Sequence, residues 1–404
     1  MGAAAVITYD EALRRVLAGV DQLPATDIDL GHADGAVLAE AVTAREAVPP
    51  FDASAMDGYA VRSADLHTLP VQLDVVAVSS AGHPSPRSIG AGQAARILTG
   101  AATVQGADCV VRVEDTDGGA QVVEIRRGSA AGANIRRAGE GARPGDVLIS
   151  AGTVLNPAHL GIAAGTGLAT LRCVTAPRVA VVATGDELAG PEVQLQPGQI
   201  HESNGVVISR LAARMGCAVT TTRAGDDVDS LRRTLLDLAT IHDVVITTGG
   251  VSMGGEYDAM RAAVTGWPVE FWKVAIAPAK PFAFGHLGSG ADGAVLFGLP
   301  GNPVAAVVAF ELFVRPAVRK LQGVTPHVTP TRSGIAGASL PDRGDERICF
   351  LRVRRDERGH WVSTGPGGTH LLGGIAEAQA LAVIRPGQPT IGPGDEVELL
   401  PLWL

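Results

Sequence analysis

Apolar positions along the chain change their period several times, and each change marks a boundary. Near the start, Leu13, Val16, Leu17 and Val20 recur at helical spacing behind Thr8-x-x-Glu11, a capping box. This predicts an amphipathic helix over 9–18. From about 49 to 139 the text becomes short β-like runs broken by Gly, Pro and Asp: 71–78, 94–98, 109–113 and 121–125. That pattern predicts a small all-β module. Between 145 and 170 helix-like and turn-like text returns, with Asn156-Pro157 as N-cap and first helical residue.

Arg178 opens a different regime. An apolar strand over 179–183 ends in Thr184-Gly185-Asp186-Glu187. A helix over 204–215 follows and Gly216 closes it. A strand over 219–223 ends at Gly225-Asp226-Asp227, a helix covers 229–238, and a strand over 244–247 ends at Thr248-Gly249-Gly250-Val251-Ser252-Met253-Gly254. A strand over 294–297 ends at Gly298-Leu299-Pro300-Gly301-Asn302-Pro303 and feeds a helix to about Leu321. Such alternation predicts a doubly wound α/β domain on a mainly parallel sheet. From about Thr325 the pattern is β again, over 347–353, 380–385 and 396–400. The predicted class is therefore multidomain α/β plus β. Its parts are 1–48 with 140–176, an inserted β module over 49–139, the α/β domain over 177–324 and a C-terminal β domain over 325–404.

Composition narrows the chemistry. A chain of 404 residues exceeds one ordinary core. Aromatics are only 4%, so the cores must be built from Val, Leu, Ile and Ala. The net charge of −9 argues against general nucleic-acid binding, which needs a basic footprint. Cys109, Cys173, Cys217 and Cys349 lie far apart with no C-x-x-C, which favours buried thiols in a reducing cytoplasm over disulfides or zinc. The first residues lack the pattern of a secretory signal, and no apolar run is long enough for a bilayer.

In an open parallel sheet, ligands bind beyond the carboxyl ends of the strands. Glu187 and Asp226 bring carboxylates to that rim. Gly249, Gly250 and Ser252 offer backbone N–H groups of the kind phosphate sites use. Pro300, Asn302 and Pro303 start a helix there, with Asn302 as its cap. Carboxylates beside anion-binding backbone imply Mg²⁺. Each piece also has a plainer reading, as helix cap or tight turn; their convergence on one rim favours the ligand site. Arg136 and Arg137 lie in a Gly-rich loop that suits phosphate. Arg126-Arg127 reads as a solvated strand end. His201, His242 and His286 are isolated and read as structural or exposed. No G-x-S-x-G elbow is present.

The run Pro49-Pro50-Phe51-Asp52-Ala53-Ser54-Ala55-Met56-Asp57-Gly58-Tyr59-Ala60-Val61-Arg62 fits neither a strand nor a helix interior and suits a loop close to a polar ligand. Met56 and Tyr59 are its expected packing anchors. This run resembles the signature of the molybdenum insertases, the MoeA/gephyrin E-domain family. The resemblance continues in order through Ile97-Leu98-Thr99-Gly100, Asn134-Ile135-Arg136-Arg137, Thr184-Gly185-Asp186-Glu187, Gln199-Ile200-His201-Glu202-Ser203-Asn204, Gly249-Gly250-Val251-Ser252-Met253-Gly254, the stretch through Lys273 to Lys280, and Gly298-Leu299-Pro300-Gly301-Asn302-Pro303. It implies a four-domain homodimer with its site shared between subunits, residues 1–48 and 140–176 serving linkage and dimerisation, and 177–324 binding molybdopterin. It also implies a reaction: molybdate and adenylylated molybdopterin are taken up, the adenylate is cleaved with Mg²⁺, and the metal stays on the dithiolene. Matched by motif, Asp57, Thr99, Glu187 and Asp226 are catalytic, with Glu187, Asp226 and Asp258 at the metal. Lys273, Lys280, Arg347, Arg352 and Thr369 join the substrate site. Implied partners are a molybdopterin adenylyltransferase and recipient molybdoenzymes.

The chain departs from that pattern at several anion-site positions. Gly141 stands where an aspartate is common, Ala277 and Ala279 stand in a Lys-Pro-Gly-Lys-Pro run, Ala305 replaces a serine, and Tyr257 shifts an aspartate to Asp258. Lysine and serine there would suit an oxyanion. Two alternatives to an active insertase follow. One is a non-catalytic molybdopterin-binding or scaffold paralogue. The other is a molybdopterin adenylyltransferase, which would not need the N-terminal β module.

Overall fold

The computed structural model describes residues 6–251, 259–288, 293–340, 344–365 and 372–403. The chain forms two compact units: 1–39 with 152–156 and 172–404, and 40–151 with 157–171.

In the larger unit the apolar runs after Arg178 pair as expected. Arg178–Thr184 lies parallel between Ala218–Ala224 and Val244–Thr248, and Val244–Thr248 lies parallel to Val295–Leu299. The seven-stranded sheet continues through Pro281–His286 and Val269–Val274, both antiparallel, to the short edge strand Val6–Ile7. The hairpin over 269–286 and the edge strand were not expected from sequence. The strands end early or late by a residue or two, but the sheet is mainly parallel, as predicted.

Alternation along the central strands fixes two layers. Val179, Val181, Val244 and Ile246 face a core shared with Ile208 and Leu211 of helix Asn204–Arg214, with Ala12 and Val16 of helix Tyr9–Ala18, and with the helical run Pro303–Leu321. Ala180, Val182 and Val245 face the other way, against Leu231 and Leu235 of helix Val228–Ala239 and Met260. Truncating one such leucine typically costs about 2–5 kcal/mol. Helix Tyr9–Ala18 begins as its capping box predicts, with Thr8 Oγ1 accepting from Glu11 N–H at 3.2 Å. The helical run from Pro303 carries a π-helical segment, Phe310–Val314, before Arg315–Leu321.

The same unit holds a six-stranded C-terminal sheet built on Ile348–Arg355, Ala380–Ile384 and Glu396–Pro401. Its core includes Val353, Ala382 and Leu399.

The smaller unit contains the β structure expected over 49–139 and extends beyond it, taking in a short helix, Pro157–Gly165. Its five-stranded sheet runs Val122–Ile125, Val71–Ser79, Gln93–Ile97, Gly58–Val61, Cys109–Arg112. Tyr59, Leu73, Val111 and Val123 fill one face, and Ala60, Ala95, Ile97 and Val110 the other. The stretch 145–170 also contains a strand, Val147–Ile149, paired with Val42–Thr43, where sequence suggested only helix and turn. Among the described residues no helix is long and apolar enough to cross a membrane. The four cysteines are buried thiols, in no disulfide among the described residues.

Candidate active site

Strand Arg178–Thr184 delivers its chain to the carboxyl rim of the sheet, where Gly185 turns with φ 141°. A Cβ at Gly185 would stand 2.2 Å from a carboxylate oxygen of Glu187, so the Glu187 side chain folds back over this glycine. The neighbouring Asp186 reaches the next loop instead. Its Oδ1 accepts the Asp226 N–H at 3.1 Å, and Asp226 Oδ2 accepts the Asp186 N–H at 3.4 Å. Sequence reading paired Glu187 with Asp226 and passed over Asp186, although it lies in the same Thr184-Gly185-Asp186-Glu187 run. Asp227 has the plainer role: its Oδ1 accepts the Ser230 N–H at 2.8 Å and caps helix Val228–Ala239.

Gly249 follows Val244–Thr248 with φ 100°, and a Cβ there would meet the Thr184 carbonyl oxygen at 2.8 Å. Its N–H donates to the Leu299 carbonyl at 3.0 Å. This corrects the expectation of an unobstructed amide at Gly249: that N–H ties two strand ends together. Gly250 follows it with φ 64°. Ser252 and Asp258 lie outside the described residues, as does Thr369.

Pro300 is buried and Asn302 exposed, at the N-cap of the Pro303–Ala309 helix. The Asn302 side chain makes no capping hydrogen bond, contrary to expectation. The loop is instead fastened by Asn204, whose Nδ2 donates to the Gly301 carbonyl at 2.7 Å. Among the described residues, Asn204 Oδ1 is buried with no hydrogen-bond partner. Asn204 was not among the expected site residues, because its contact spans nearly a hundred positions of sequence.

The expected cations differ in their freedom. Lys280 is exposed at the head of Pro281–His286, and Lys273 is half-buried in Val269–Val274. Ala279, beside Lys280, is buried with φ 78°, a conformation that favours glycine. Arg347 Nε donates to Asp345 at 3.0 Å, and this pairing raises its pKa further. Its charge is thus already balanced by Asp345. Arg352 is only 5% exposed, and burial lowers its pKa. Its guanidinium would stand 2.9 Å from a Cβ on Gly374.

In the smaller unit, Asp57 and Thr99 meet. Thr99 gives its N–H (2.7 Å) and its hydroxyl (2.8 Å) to Asp57 Oδ1. These bonds, the backbone one first, hold the Asp57 carboxyl below its ordinary pKa. Tyr59 is wholly buried as an anchor, but Met56 is 44% exposed, so Met56 does not anchor this loop within its unit. Arg137 is committed to Asp52 at 2.6 Å, while Ala138 N–H donates to the same carboxylate at 2.8 Å. Arg136 is exposed, in the short strand Ile135–Arg136 that pairs with Ala53–Ser54.

The histidines are structural or exposed, as expected. His242 bonds Thr220 Oγ1 at 2.7 Å and the Leu238 carbonyl at 2.9 Å. His201 meets the Gly190 carbonyl at 2.9 Å.

The oxygen-only set Asp186, Glu187 and Asp226 fits Mg²⁺ by donor chemistry. Asp186 and Asp226 each spend one carboxylate oxygen on a backbone N–H and keep the other. Among the described residues no three His, Cys, Asp or Glu side chains are gathered as a preformed metal cage. Mg²⁺ commonly takes one or two carboxylates and completes its shell with water and substrate phosphate.

Comparison with known proteins agrees with this architecture. Residues 7–167 match the MoeA N-terminal region (domain I and II), 180–320 match a probable molybdopterin binding domain, and 341–402 match the MoeA C-terminal region (domain IV). Molybdopterin molybdenumtransferase 2 of Mycobacterium tuberculosis is 38% identical over 384 residues, covering 92% of this chain and 94% of its own. Molybdopterin molybdenumtransferase of Haemophilus influenzae is 34% identical over 410 residues, covering 98% of both. The crystal structure of the molybdopterin biosynthesis moeA protein from Pyrococcus horikoshii superposes with a TM-score of 0.84 at 25% identity, covering 98% of this chain and 99% of that one. With its relatives this similar over nearly their full length, the chain belongs to the molybdopterin molybdenumtransferase family, MoeA.

Proposed function

We propose that this protein is an active molybdenum insertase of molybdenum cofactor synthesis. It takes molybdate and adenylylated molybdopterin, breaks the phosphoanhydride, releases AMP and leaves the metal on the dithiolene. The observation that carries this reading is the Asp57–Thr99 pair. An adenylyltransferase built on the α/β domain alone would have no use for it. In the proposed site Asp57 stays ionised and fixed by Thr99. Asp186, Glu187 and Asp226 present carboxylates at the α/β rim. Lys280 and Arg136 supply exposed positive charge for anionic groups. Mg²⁺, when bound, would neutralise phosphate charge beside those carboxylates.

The finer four-part domain division, a cytoplasmic location and a homodimer whose subunits share each site belong to the same reading. So do a molybdopterin adenylyltransferase and recipient molybdoenzymes as partners. A non-catalytic paralogue is the second reading. It is favoured by Arg347 being balanced by Asp345 and by Ala277, Ala279 and Ala305 where oxyanion-binding side chains would help.

The test is molybdate-dependent AMP release from adenylylated molybdopterin by the full chain. Turnover that falls with Mg²⁺ removal and vanishes in Glu187→Gln supports the insertase. Binding of molybdopterin without AMP release supports the second reading. In heterodimers of Asp57→Asn with Glu187→Gln subunits, partial recovery of turnover supports a shared site.

A further inference from the structure

Arg96 lies on strand Gln93–Ile97, directly across from Tyr59 in the antiparallel pairing with Gly58–Val61. Directly opposed residues of an antiparallel pair project from the same face. Tyr59 is wholly buried, and its hydroxyl donates to the Gly119 carbonyl at 3.0 Å. The same hydroxyl accepts from Arg96 Nη1 at 3.1 Å, and the guanidinium carbon stands 5.8 Å from the Tyr59 ring centroid. One buried phenol thus fixes the head of a half-buried arginine twice, by hydrogen bond and by ring contact.

That head faces an unfinished arrangement. Asp57 lies just before this strand, two residues ahead of Tyr59. Both Thr99 bonds go to Asp57 Oδ1, and among the described residues Oδ2 has no hydrogen bond. Arg96 acts on the Asp57 charge electrostatically, yet among the described residues it forms no ion pair with any carboxylate. Three other arginines of this unit are closed onto carboxylates, Arg112 on Asp115, Arg126 on Glu124 and Arg137 on Asp52; what sets Arg96 apart from the remaining ones is the buried Tyr59 that holds its head. A guanidinium held still within electrostatic reach of a carboxylate, but not closed onto it, keeps donors for a third group. The fork of Arg suits a phosphate oxygen pair.

We propose that Arg96 is a phosphate-binding residue of the substrate site, gripping a phosphate of the nucleotide-bearing substrate beside Asp57, with Tyr59 as the positioning residue that locks it. Its link to the substrate rests on the insertase reading; its affinity for phosphate does not. The partly buried setting and the ring below reduce competition from water, so the contact contributes to binding more than to the chemical step.

The test separates the two claims. AMP with Mg²⁺ is titrated calorimetrically into the full-length protein, its Arg96→Gln and Arg96→Lys variants, and Tyr59→Phe. Gln keeps a donor for the Tyr59 hydroxyl and removes the charge, so the fold is preserved; melting temperatures check this. Expected are a weakening of AMP binding by about tenfold or more in Arg96→Gln, partial retention in Arg96→Lys, and an intermediate loss in Tyr59→Phe. In turnover, Arg96→Gln should raise KM for adenylylated molybdopterin by a similar factor with kcat within about threefold. AMP binding lost in Arg96→Gln without wild-type turnover would keep the Arg96 assignment and reject the insertase reading. AMP binding unchanged in a folded Arg96→Gln, or no AMP binding by the wild type, overturns the Arg96 assignment whatever the turnover shows.

Discussion

Thr99 gives both its N–H and its hydroxyl to a single oxygen of Asp57, at 2.7 and 2.8 Å, and so holds that carboxyl below its ordinary pKa. Thr99 follows the strand that carries Arg96, and Asp57 precedes the strand that carries Tyr59. Two neighbouring strand ends therefore set the angle, charge and open oxygen of one carboxylate.

A depressed folded-state pKa has a definite sign. The ionised form contributes fully above the ordinary carboxylate pKa, and that contribution disappears as pH falls through the lowered value. Thr99→Val removes the hydroxyl bond and leaves the backbone bond. The Asp57 pKa then moves back up, and the acid limb of the pH–rate profile for AMP release moves to higher pH with it. Looser positioning should also lower the neutral-pH rate by about a hundredfold. An acid limb unmoved in Thr99→Val would show that Asp57 does not set it.

Asn204 offers a test of the rim loop. Its Nδ2 bond to the Gly301 carbonyl ties the start of one helix to the loop before another. Asn204→Ala leaves that carbonyl unpaired within the protein and costs about 1 kcal/mol of stability. Asn204→Asp is worse, since it sets a carboxylate against a carbonyl oxygen. Denaturant unfolding measures both. If the loop holds substrate, both variants also raise KM more than they lower kcat.

A third prediction concerns the core behind the rim. Glu311 of the π-helical segment pairs with Arg315, which follows that segment, with Arg315 Nη2 donating to Glu311 Oε1 at 2.9 Å, and both residues are 4% exposed or less. Glu311→Ala leaves a buried guanidinium without this partner, and removing one member of such a pair costs about 3–5 kcal/mol. Replacing both with Glu311→Leu and Arg315→Met should return much of that stability. Chemical denaturation of the two variants decides the matter; equal losses would mean that the charge pair is not the cause.

Much of this architecture was legible because it is written in local signals. The strand–loop–helix rhythm after Arg178 follows from apolar runs ending at Gly and Asp, and the Thr8 cap from four consecutive residues. What escaped depends on distance. Nothing in the sequence near Gly249 says that its N–H is taken by Leu299, and nothing near Asn302 says that Asn204 fastens its loop. Nothing near Arg352 in the sequence says that Gly374 stands against its guanidinium. The Arg347–Asp345 pairing is of another kind, since its partners stand only two positions apart in the sequence. The hairpin over 269–286, Val269–Val274 joined through Pro278 to Pro281–His286, depends likewise on a pairing that no local signal marks.

The last prediction separates the three aspartates of the rim. Asp227 caps its helix through Ser230, and asparagine caps a helix about as well as aspartate. Asp227→Asn should therefore leave both melting temperature and AMP release nearly unchanged. Asp186 differs, because its second oxygen remains open beside Asp226. Asp186→Asn keeps an acceptor for the Asp226 N–H and thus the loop geometry, but removes a charge. If Asp186 serves the metal and phosphate, Asp186→Asn should keep its melting temperature, lose about 10²–10³ in AMP release and need more Mg²⁺ for the remainder. A folded Asp186→Asn with turnover within about threefold of wild type, judged on the same scale, would return the metal role to Glu187 and Asp226 and leave Asp186 as a tie between loops.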